Sequence, residues 1–454
     1  MSSTALNQVY KTAIIGTEEA LITTDVAPSD TSIHISGKYM TQTPFTANQI
    51  YVLRDNTFAS GTNGAPNAER VMVTSIAGLT AVALGDAIGY TVSGTVTVQG
   101  WSQSAGWSGG VVGTYTIANG GSILTPGQEM ALQSADFNCR FKTLTDAPKI
   151  EFDDESSRFA TGDEGRDVAI AGARNAEINF TEKFAWGGAV STIPVWAKLM
   201  RSMGHLVRKW TTTGIEILPH TNANEITSTI WIVNPENGMA PTSTIYRYAG
   251  CHGGNGCSIS AGKIGDPYML TGKYSGAYIG TTEISAANAR VLTSPETSIP
   301  EILLNNTLTV PARVNGSTTT KNIEISQFSL DFGGVVNPFI DQSTSTGYAY
   351  YVTSDRDPKF TCNPYHTRKT ADDVDYIVTN QIAGEITLKS APTSPHITIY
   401  IPNAQLMSPA IASREGYVNT NRTYKCNRNN LTGTAVDSSI PDYAMYSILI
   451  GARA

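Results

Sequence analysis

The sequence predicts a mainly β protein, and three observations support this fold class. Charged residues make up only 15% of the 454 residues, below the roughly 25% that is usual in globular proteins, while Gly, Ser, Thr and Asn are abundant. Short segments alternate apolar and polar residues at regular spacing, as strands separated by turns do. A single segment has a convincing helical period. The length is sufficient for two to four domains.

Residues 1–122 are predicted to form an N-terminal arm and an extra small β module. Residues 1–20 read as an extended arm, and short alternating segments such as DTSIHIS and QIYVLRD follow between residues 25 and 100. Residues 101–122, WSQSAGWSGGVVGTYTIANGGS, are rich in glycine and serine. Because this composition marks turns and connections, we predict that the stretch is the linker that closes the module.

One helix is predicted over residues 191–205, STIPVWAKLMRSMGH. Ser191 or Thr192 suits the N-cap, Pro194 suits the first turn, and Gly204 suits the position after the last turn. Apolar side chains recur at helical spacing and predict a stripe that packs on a sheet: Trp196, Leu199, Met200 and Met203.

The chain also contains a faint internal repeat, which predicts two related β domains at residues 123–290 and 291–454. DAPKIEF at 146–152 matches RDPKFTC at 356–362, an offset of 210 residues, and NAEINF at 175–180 matches AGEITL at 383–388, an offset of 208. Two matches at nearly the same offset favour a duplication. Chance similarity between β-rich segments is the alternative.

The stretch CHGGNGC at residues 251–257 raises the question of a metal or redox site. Structural zinc requires four nitrogen or sulfur ligands, usually as two close pairs. Here the first pair would be C-x5-C, and the second, Cys362 and His366, lies more than a hundred residues away. A C-x-x-C redox motif is missing. The glycines instead predict the turn of a hairpin, in which Cys251 and Cys257 are small, half-buried apolar residues; a further role for them stays open.

An acidic segment at residues 151–167, EFDDESSRFATGDEGRD, is the candidate functional site. It lacks the glycine and terminal glutamate of a calcium loop. A carboxylate pair for glycoside hydrolysis depends on a separation in space that sequence does not give. A solvated loop is the plainest interpretation, and a loop that lines a passage or meets basic residues of a neighbouring subunit is the alternative. The candidate residues are Glu151, Asp153, Asp154, Glu155, Asp163, Glu164 and Asp167.

Several function classes find no support in the sequence. We find no H-E-x-x-H, G-x-S-x-G, P-loop or dinucleotide-binding motif, so we expect no enzyme, no cofactor and no metal. The net charge of -7 opposes a grip on DNA, because sequence-independent affinity comes from neutralising phosphates. No apolar run approaches the roughly 18 residues of a membrane span, and no signal peptide is recognised. We therefore expect a soluble chain, folded in a cytosol, with no membrane partner.

Residues 241–279, PTSTIYRYAGCHGGNGCSISAGKIGDPYMLTGKYSGAYI, resemble the tail tube proteins of long-tailed bacteriophages. Those proteins often have a strand, a turn with glycine, and then a segment of glycines and aromatic residues. The helix PVWAKLMRSMG and the C-terminal stretch from GEITLKS to KCNRN are also similar, so the resemblance covers residues 123–454 and leaves out 1–120. The matching residues of the segment are Gly265, Pro267, Tyr268, Leu270, Gly272, Tyr274 and Gly276.

The resemblance implies duplicated tail-tube-type β-sandwich or barrel domains with one packed helix. Such subunits close into rings, and stacked rings form the tube through which the genome leaves. A duplicated chain favours a homotrimer with pseudo-six-fold symmetry, with a hexamer as the other possibility. The implied partners are further copies of the chain and the tape measure, tail tip and tail terminator proteins, while DNA passes without specific binding.

The resemblance also implies assembly in the host cytoplasm and a place in the virion tail. The N-terminal module is expected on the outside of the tube. The acidic segment at 151–167 would reach the next ring or add negative charge to the bore.

The alternative function is a receptor- or carbohydrate-binding β protein of a tail fibre or adhesin. Exposed tryptophans stack on sugars, and Trp101 and Trp107 are the candidates. A hydrolase on a β scaffold is a third reading, which would need converging carboxylates in a cleft.

Overall fold

The computed structural model confirms the predicted fold class. The chain is mainly β, with 65% of residues in strands and 4% in helices. The structure describes residues 12–55, 68–84, 89–111, 116–132, 141–153, 170–185, 193–210, 213–220, 225–234, 242–285, 300–366, 368, 372–390, 397–414, 417–431 and 435–452.

The first eight strands belong to two different sheets. Strand β1 pairs with a strand near residue 230, whereas six of the next seven close on themselves as a barrel. Their bounds are β1 (Thr12–Thr17), β2 (Glu19–Ile22), β3 (Ser32–Tyr39), β4 (Gln49–Arg54), β5 (Ala68–Ala83), β6 (Tyr90–Ser102), β7 (Gly106–Ser108) and β8 (Ser122–Leu124).

The barrel closes in the order β2–β3–β6–β5–β4–β8 and back to β2, and every pair is antiparallel. Closure leaves none of its six strands with an open edge. Alternate side chains such as Ile33, Val71 and Val96 point inward and are fully buried. The alternation read from the sequence therefore corresponds to the inner face of a barrel.

Residues 101–122 are not a linker, and this prediction is corrected. The stretch contains the end of β6, all of β7 and the start of β8. Trp101 lies opposite Trp107 across a tight turn, and Gly106 and Gly109 adopt positive φ of 66° and 67°. The glycines serve turns between strands, which need that conformation.

The rest of the chain forms a large branched sheet, a two-stranded hairpin and two short helices within the described ranges. The elements follow in chain order: β9 (Phe141–Asp153), β10 (Ile170–Lys183), α1 (Val195–Arg201), β11 (His205–Trp210), β12 (Gly214–Pro219), β13 (Ser228–Asn234), β14 (Thr242–Gly253), β15 (Ser258–Ala261), β16 (Met269–Ser285), β17 (Thr307–Val314), β18 (Ser317–Ile323), β19 (Ile325–Asp331), β20 (Gly334–Ile340), β21 (Tyr348–Arg356), β22 (Lys359–Pro364), α2 (Val374–Thr379), β23 (Ala383–Lys389), β24 (Ile397–Arg414), β25 (Tyr417–Asn427) and β26 (Ser447–Gly451).

Two halves of the large sheet have the same connectivity. We name the antiparallel series β9–β10–β16–β14–β13–β1 the first array. We name the antiparallel series β19–β22–β25–β24–β23–β17 the second array. In each array a helix follows the second strand, and α1 contacts β1 as α2 contacts β17. The chain is thus duplicated at the level of topology.

Aromatic packing supports the same equivalence. In the first array the Phe180 ring lies 5.4 Å from the Tyr274 ring, between β10 and β16. In the second array Phe360 lies 6.5 Å from Tyr424, between β22 and β25. A further phenylalanine from the preceding strand completes each cluster, at 4.8 Å in the first array and 6.3 Å in the second.

The topology corrects the alignment of the repeat. The sequence matches equate β9 with β22 and β10 with β23, but β9 pairs with β10, whereas β22 pairs with β19 and β25, and β23 with β17 and β24. The equivalent strands are instead β10 and β22, and the helices begin at Val195 and Val374, an offset of 179. Alternating strand patterns resemble one another, so a short match fell one strand out of place.

The helix prediction is right about the packed face and wrong about length and number. Trp196, Leu199, Met200 and Met203 are all at most 2% exposed. However, α1 covers Val195–Arg201 only, and Pro194 occupies its N-cap without a side-chain hydrogen bond; Ser191 and Thr192 lie outside the described residues. The second helix, α2, was not predicted; its N-cap Asp373 accepts a hydrogen bond from the Tyr376 N–H.

Candidate functional site: junctions between the arrays

The acidic segment begins within the last residues of β9. Glu151 and Asp153 belong to the last residues of β9, and Asp153 is opposite Ile170. The other candidate residues lie outside the described part of the chain: Asp154, Glu155, Asp163, Glu164 and Asp167. Their role stays a prediction.

The CHGGNGC stretch forms a tight turn, but the strands beside it do not form a hairpin. Both β14 and β15 run antiparallel to β16, so the chain keeps its direction through the turn. The Cys257 N–H donates to the Gly254 carbonyl at 3.1 Å, and Gly256 has a φ of 91°. Gly253 and Gly254 serve close packing instead, since a β-carbon there would lie 2.6 Å from Met203 and Val336 side-chain atoms.

The cysteine and histidine side chains of this turn are buried and neutral. Cys251 and Cys257 are at most 1% exposed, and His252 is fully buried. Burial raises the pKa of Cys257 to about 12 and lowers the pKa of His252 to about 3. A cysteine binds zinc as the thiolate, a charged form that this buried environment disfavours. Within the described ranges, no group of three or more His, Cys, Asp or Glu residues could hold a metal ion.

The first contact between the arrays runs through β15. One edge of β15 pairs with β16 of the first array, and the other pairs with β19 of the second, from Ser258 opposite Asp331 to Ala261 opposite Phe328. Phe328 and Leu330 are 2% and 0% exposed as a result. A single strand thus makes the sheet continuous from one array to the other.

The second contact runs through β26 and contains a buried ion pair. Strand β26 pairs with β24 of the second array and with β12, which follows α1 of the first. The Arg208 guanidinium donates to the Glu216 carboxylate, which also accepts from the Ser447 hydroxyl on β26. Arg208 is 1% exposed and Glu216 0%. Breaking such a pair leaves an uncompensated buried charge.

The barrel, the first array and the β20–β21 hairpin meet at Glu18, between β1 and β2. Glu18 is fully buried and accepts hydrogen bonds from two backbone N–H groups and two hydroxyls. The donors are Gly127 at 2.6 Å, Gly250 at 2.8 Å, Thr227 at 2.5 Å and Thr229 at 2.9 Å. Burial raises the pKa of Glu18 to about 7, although these bonds oppose the rise.

The two glycines at this junction also accommodate the hairpin. A β-carbon on Gly250 would lie 2.6 Å from the Tyr350 Cα, and one on Gly127 would lie 2.1 Å from the Ala349 carbonyl oxygen. Both glycines have positive φ, 61° and 80°. Strand β21 therefore packs directly against the backbone of the first array at Gly250 and against the segment that follows β8 at Gly127. In connectivity, this hairpin joins β19 to β22 as residues 154–169 join β9 to β10.

A second ion pair ties the barrel to α1. The Arg201 guanidinium donates to both carboxylate oxygens of Glu19, at 2.7 and 2.9 Å. Burial raises the pKa of the Glu19 carboxyl, but the adjacent Arg201 outweighs it and the net shift is downward. The barrel is thus attached to the first array by directed polar contacts.

A cleft of about 700 Å³ is lined by the end of β12, by β21 and by β25, and it contains the carboxylates of Asp355 and Asp357. Asp357 lies in ion pairs with Lys359 and Lys425, each at 3.4 Å. Asp355 accepts from the neighbouring Arg356 N–H at 2.7 Å. Both carboxylates therefore already have partners within the chain.

The outer half of the β24–β25 hairpin is an exposed apolar feature of the second array. Met407 is 53% exposed, Ile411 75% and Val418 52%. In the equivalent part of the first array, Ile259 and Ala261 of β15 are 0% and 2% exposed. The same position in the fold is covered in one array and bare in the other.

No family model matches the chain, and no curated protein matches it. Among the helices that the structure describes, none is long and apolar enough to span a membrane.

Proposed function

We propose that this chain is a structural virion protein whose copies form rings, and that stacked rings make the tail tube through which a phage genome is delivered. The observation that carries the proposal is the duplication: two arrays of one connectivity, joined in one chain through unlike surfaces. The edge strand of the second array, β19, pairs with β15, and β15 in turn pairs with β16 of the first array.

A contact between unlike surfaces is heterologous, and its repetition builds a ring when the rotation closes. One such contact already exists inside the chain. Three chains supply six arrays, so a homotrimer with pseudo-six-fold symmetry follows, and a hexamer of chains is the alternative closure. In this arrangement each chain adds one barrel to the outside of the ring.

The charge of the chain fits a conduit for DNA. A net charge of -7 weakens contact with phosphates, so a duplex slides without specific binding. The acidic segment that begins in β9 would either reach the next ring or face the bore. Under this proposal the partners are other copies of the chain and the tape measure, tail tip and tail terminator proteins, with assembly in the host cytoplasm and a final place in the virion tail.

Negative-stain electron microscopy of the concentrated protein tests the proposal. We expect open rings or tubes whose class averages show six inner densities and three outer ones, since each chain has two arrays and one barrel. Six outer densities would establish a hexamer of chains. Compact single particles at every concentration would contradict the proposal.

A second function is favoured by the barrel's tryptophans. Trp101 is 53% exposed and lies opposite Trp107 on β7, an arrangement that presents aromatic surface for stacking on a sugar. A receptor- or carbohydrate-binding role predicts glycan affinity that Trp101→Ala removes and that Tyr365→Ala, a change at an exposed tyrosine of the second array, retains. No binding across a glycan array would exclude this role.

A further inference from the structure

The inference concerns the edge by which one copy of the chain meets the next, and it rests on the proposed function. The chain contains its own pattern for such a contact. Strand β15 continues the line of β14 along one edge of β16, and its opposite edge pairs with β19.

The second array contains the equivalent of β14 and β15 in one strand, β24. In the first array Gly253 lies opposite Tyr274, the turn follows, and Ser258 lies opposite Thr271. In the second array Leu406 lies opposite Tyr424, a one-residue bulge follows, and Ser408 lies opposite Thr423. The outer part of β24, from Ser408 to Arg414, therefore occupies the position of β15.

The edge of this segment that faces away from β25 has no strand beside it in the described part of the chain. Strand β23 pairs with the same edge of β24, but only over the earlier residues Thr398 to Gln405. The exposed side chains of Met407 and Ile411 lie in the same region. An apolar strand with an open edge is a template for pairing with another chain.

The matching edge belongs to β9, the equivalent of β19. Among the described strands β9 pairs with β10 alone. Its apolar residues Phe141 and Leu144 are only half-buried, whereas β15 covers Phe328 and Leu330 of β19. Both halves of the β15–β19 contact are thus present a second time, one in each array, and they are not paired with each other.

We infer that Ser408–Arg414 of one chain pairs antiparallel with the outer edge of β9 in a second copy of this chain. The pairing repeats between chains the contact that β15 and β19 make within the chain. It gives each copy one donor edge and one acceptor edge, which is the requirement for a closed ring.

The backbone groups that make this contact can be identified. Pro409 lies opposite Arg422 and has no N–H, so their pair is of the type without mutual hydrogen bonds. Pro409, Ile411 and Ser413 therefore direct their backbone groups away from β25. The N–H groups of Ile411 and Ser413 are the donors offered to the second copy.

The variant Ser413→Pro removes one of these donors and leaves the bonds to β25 in place. Thr320→Pro is the matched control on β18, which pairs with β17 alone among the described strands. Thr320 lies opposite Pro311, so by the same reasoning its N–H also points away from the neighbouring strand. We expect the control to form rings at the wild-type yield and Ser413→Pro to stay below a tenth of it.

A mixing experiment separates a blocked edge from a misfolded chain. Ser413→Pro retains its β9 edge, so it joins a wild-type chain and stops growth. In an equimolar mixture, rings should fall roughly fourfold below those formed by the same amount of wild-type chain alone, because only about one eighth of the doubled number of chain triplets is all wild type if three chains enter each ring at random. A variant that fails to fold would leave the wild-type rings at their own yield, and the inference would then be decided by the exchange experiment.

Hydrogen exchange with mass spectrometry reads the contact in the wild-type protein. On assembly we expect slower exchange in residues 408–414 and in β9, with little change in β15. Rings that form without added protection at 408–414, or that form from Ser413→Pro at full yield, would overturn the inference and leave the proposed function standing. Wild-type chains that never associate would overturn both.

Discussion

The two arrays share one strand order, and they differ in what covers them. The first array has the barrel inserted after β1, the second array's β19 against β15, and the β20–β21 hairpin across its backbone at Gly250 and Gly254. The second array has only β18 in the place of the barrel and leaves the outer half of β24–β25 exposed. The two arrays thus share a topology, and they differ in which of their surfaces other parts of the chain cover.

The largest expected effect comes from breaking the buried Arg208–Glu216 ion pair, which lies where β26 joins β12 to the second array. Arg208→Met leaves Glu216 buried without its cation and should cost about 3–5 kcal/mol of unfolding free energy. Urea unfolding curves measure the loss. Arg70→Met is the control, because Arg70 is exposed beside Glu225 and an exposed pair contributes about 0–1 kcal/mol.

The double variant Arg208→Met/Glu216→Leu sharpens this result. Replacing a whole buried pair by apolar residues is often close to neutral, so most of the stability should return. A double variant as unstable as the single one would show that Ser447 and the Ser439 carbonyl, the other partners of this cluster, carry the cost instead.

The pH dependence of stability tests the junction at Glu18, which the second array lacks. Because the folded pKa of Glu18, about 7, lies above the ordinary glutamate pKa of 4.5, the folded state holds the proton more tightly than the unfolded one. The contribution is complete below pH 4.5 and is lost as the pH rises to 7, a change of about 3 kcal/mol. Thermal unfolding from pH 4 to 8 measures it.

Glu18→Gln should remove this part of the pH slope, and Glu385→Gln, at an exposed carboxylate of the second array, should retain it. Equal slopes in wild-type protein and Glu18→Gln would mean that Glu18 stays ionised through its four hydrogen bonds.

The seat of the hairpin on the first array can be tested at Gly250. Gly250→Ala combines a positive φ with contact to Tyr350 and should cost about 2–3 kcal/mol. Gly316→Ala, in the β17–β18 turn, has a φ of 85° but nothing within 4 Å, so it should cost about 1 kcal/mol. Equal losses of unfolding free energy in the two variants would show that the β20–β21 hairpin moves away from the added methyl group without a loss of stability.

The smallest effect compares the equivalent tyrosines. The Tyr274 hydroxyl donates to the Leu199 carbonyl of α1 at 2.7 Å, whereas the Tyr424 hydroxyl makes no hydrogen bond to α2. Tyr274→Phe should cost about 1 kcal/mol, and Tyr424→Phe should cost less. The reverse order in denaturant unfolding would argue against treating the two helices as equivalent.

Local patterns were readable in the sequence. Alternation gave the strands because successive side chains on a strand face opposite sides, and the stripe from Trp196 to Met203 gave α1 because helical neighbours lie three and four residues apart. These signals depend on residues close in the chain. The fold class and the packed helix were predicted for that reason.

Pairing over long distances was not readable. The glycines of CHGGNGC predicted a hairpin turn. The prediction was wrong because the flanking strands pair with distant strands, β16 and β19, instead of with each other. Glu18 gave no signal, since its partners are contributed by residues as distant as Gly127 and Gly250. The offset of the repeat was misread because alternating segments on different strands resemble one another, so the short matches paired β9 with β22 and β10 with β23. The acidic residues from Asp154 to Asp167 remain a prediction.

The covalent link between the arrays has a consequence for how strong each contact has to be. The β15–β19 contact forms within one chain, at an effective concentration that the connecting segment sets in the millimolar range. A contact between chains forms at the free protein concentration and pays several kcal/mol of translational and rotational entropy. Inside the chain, β15 contributes Ser258 and Ser260 beside the buried Ile259 and Ala261. If the proposed pairing between chains forms, the exposed Met407 and Ile411 of β24 supply larger apolar side chains whose burial would help to offset that entropy.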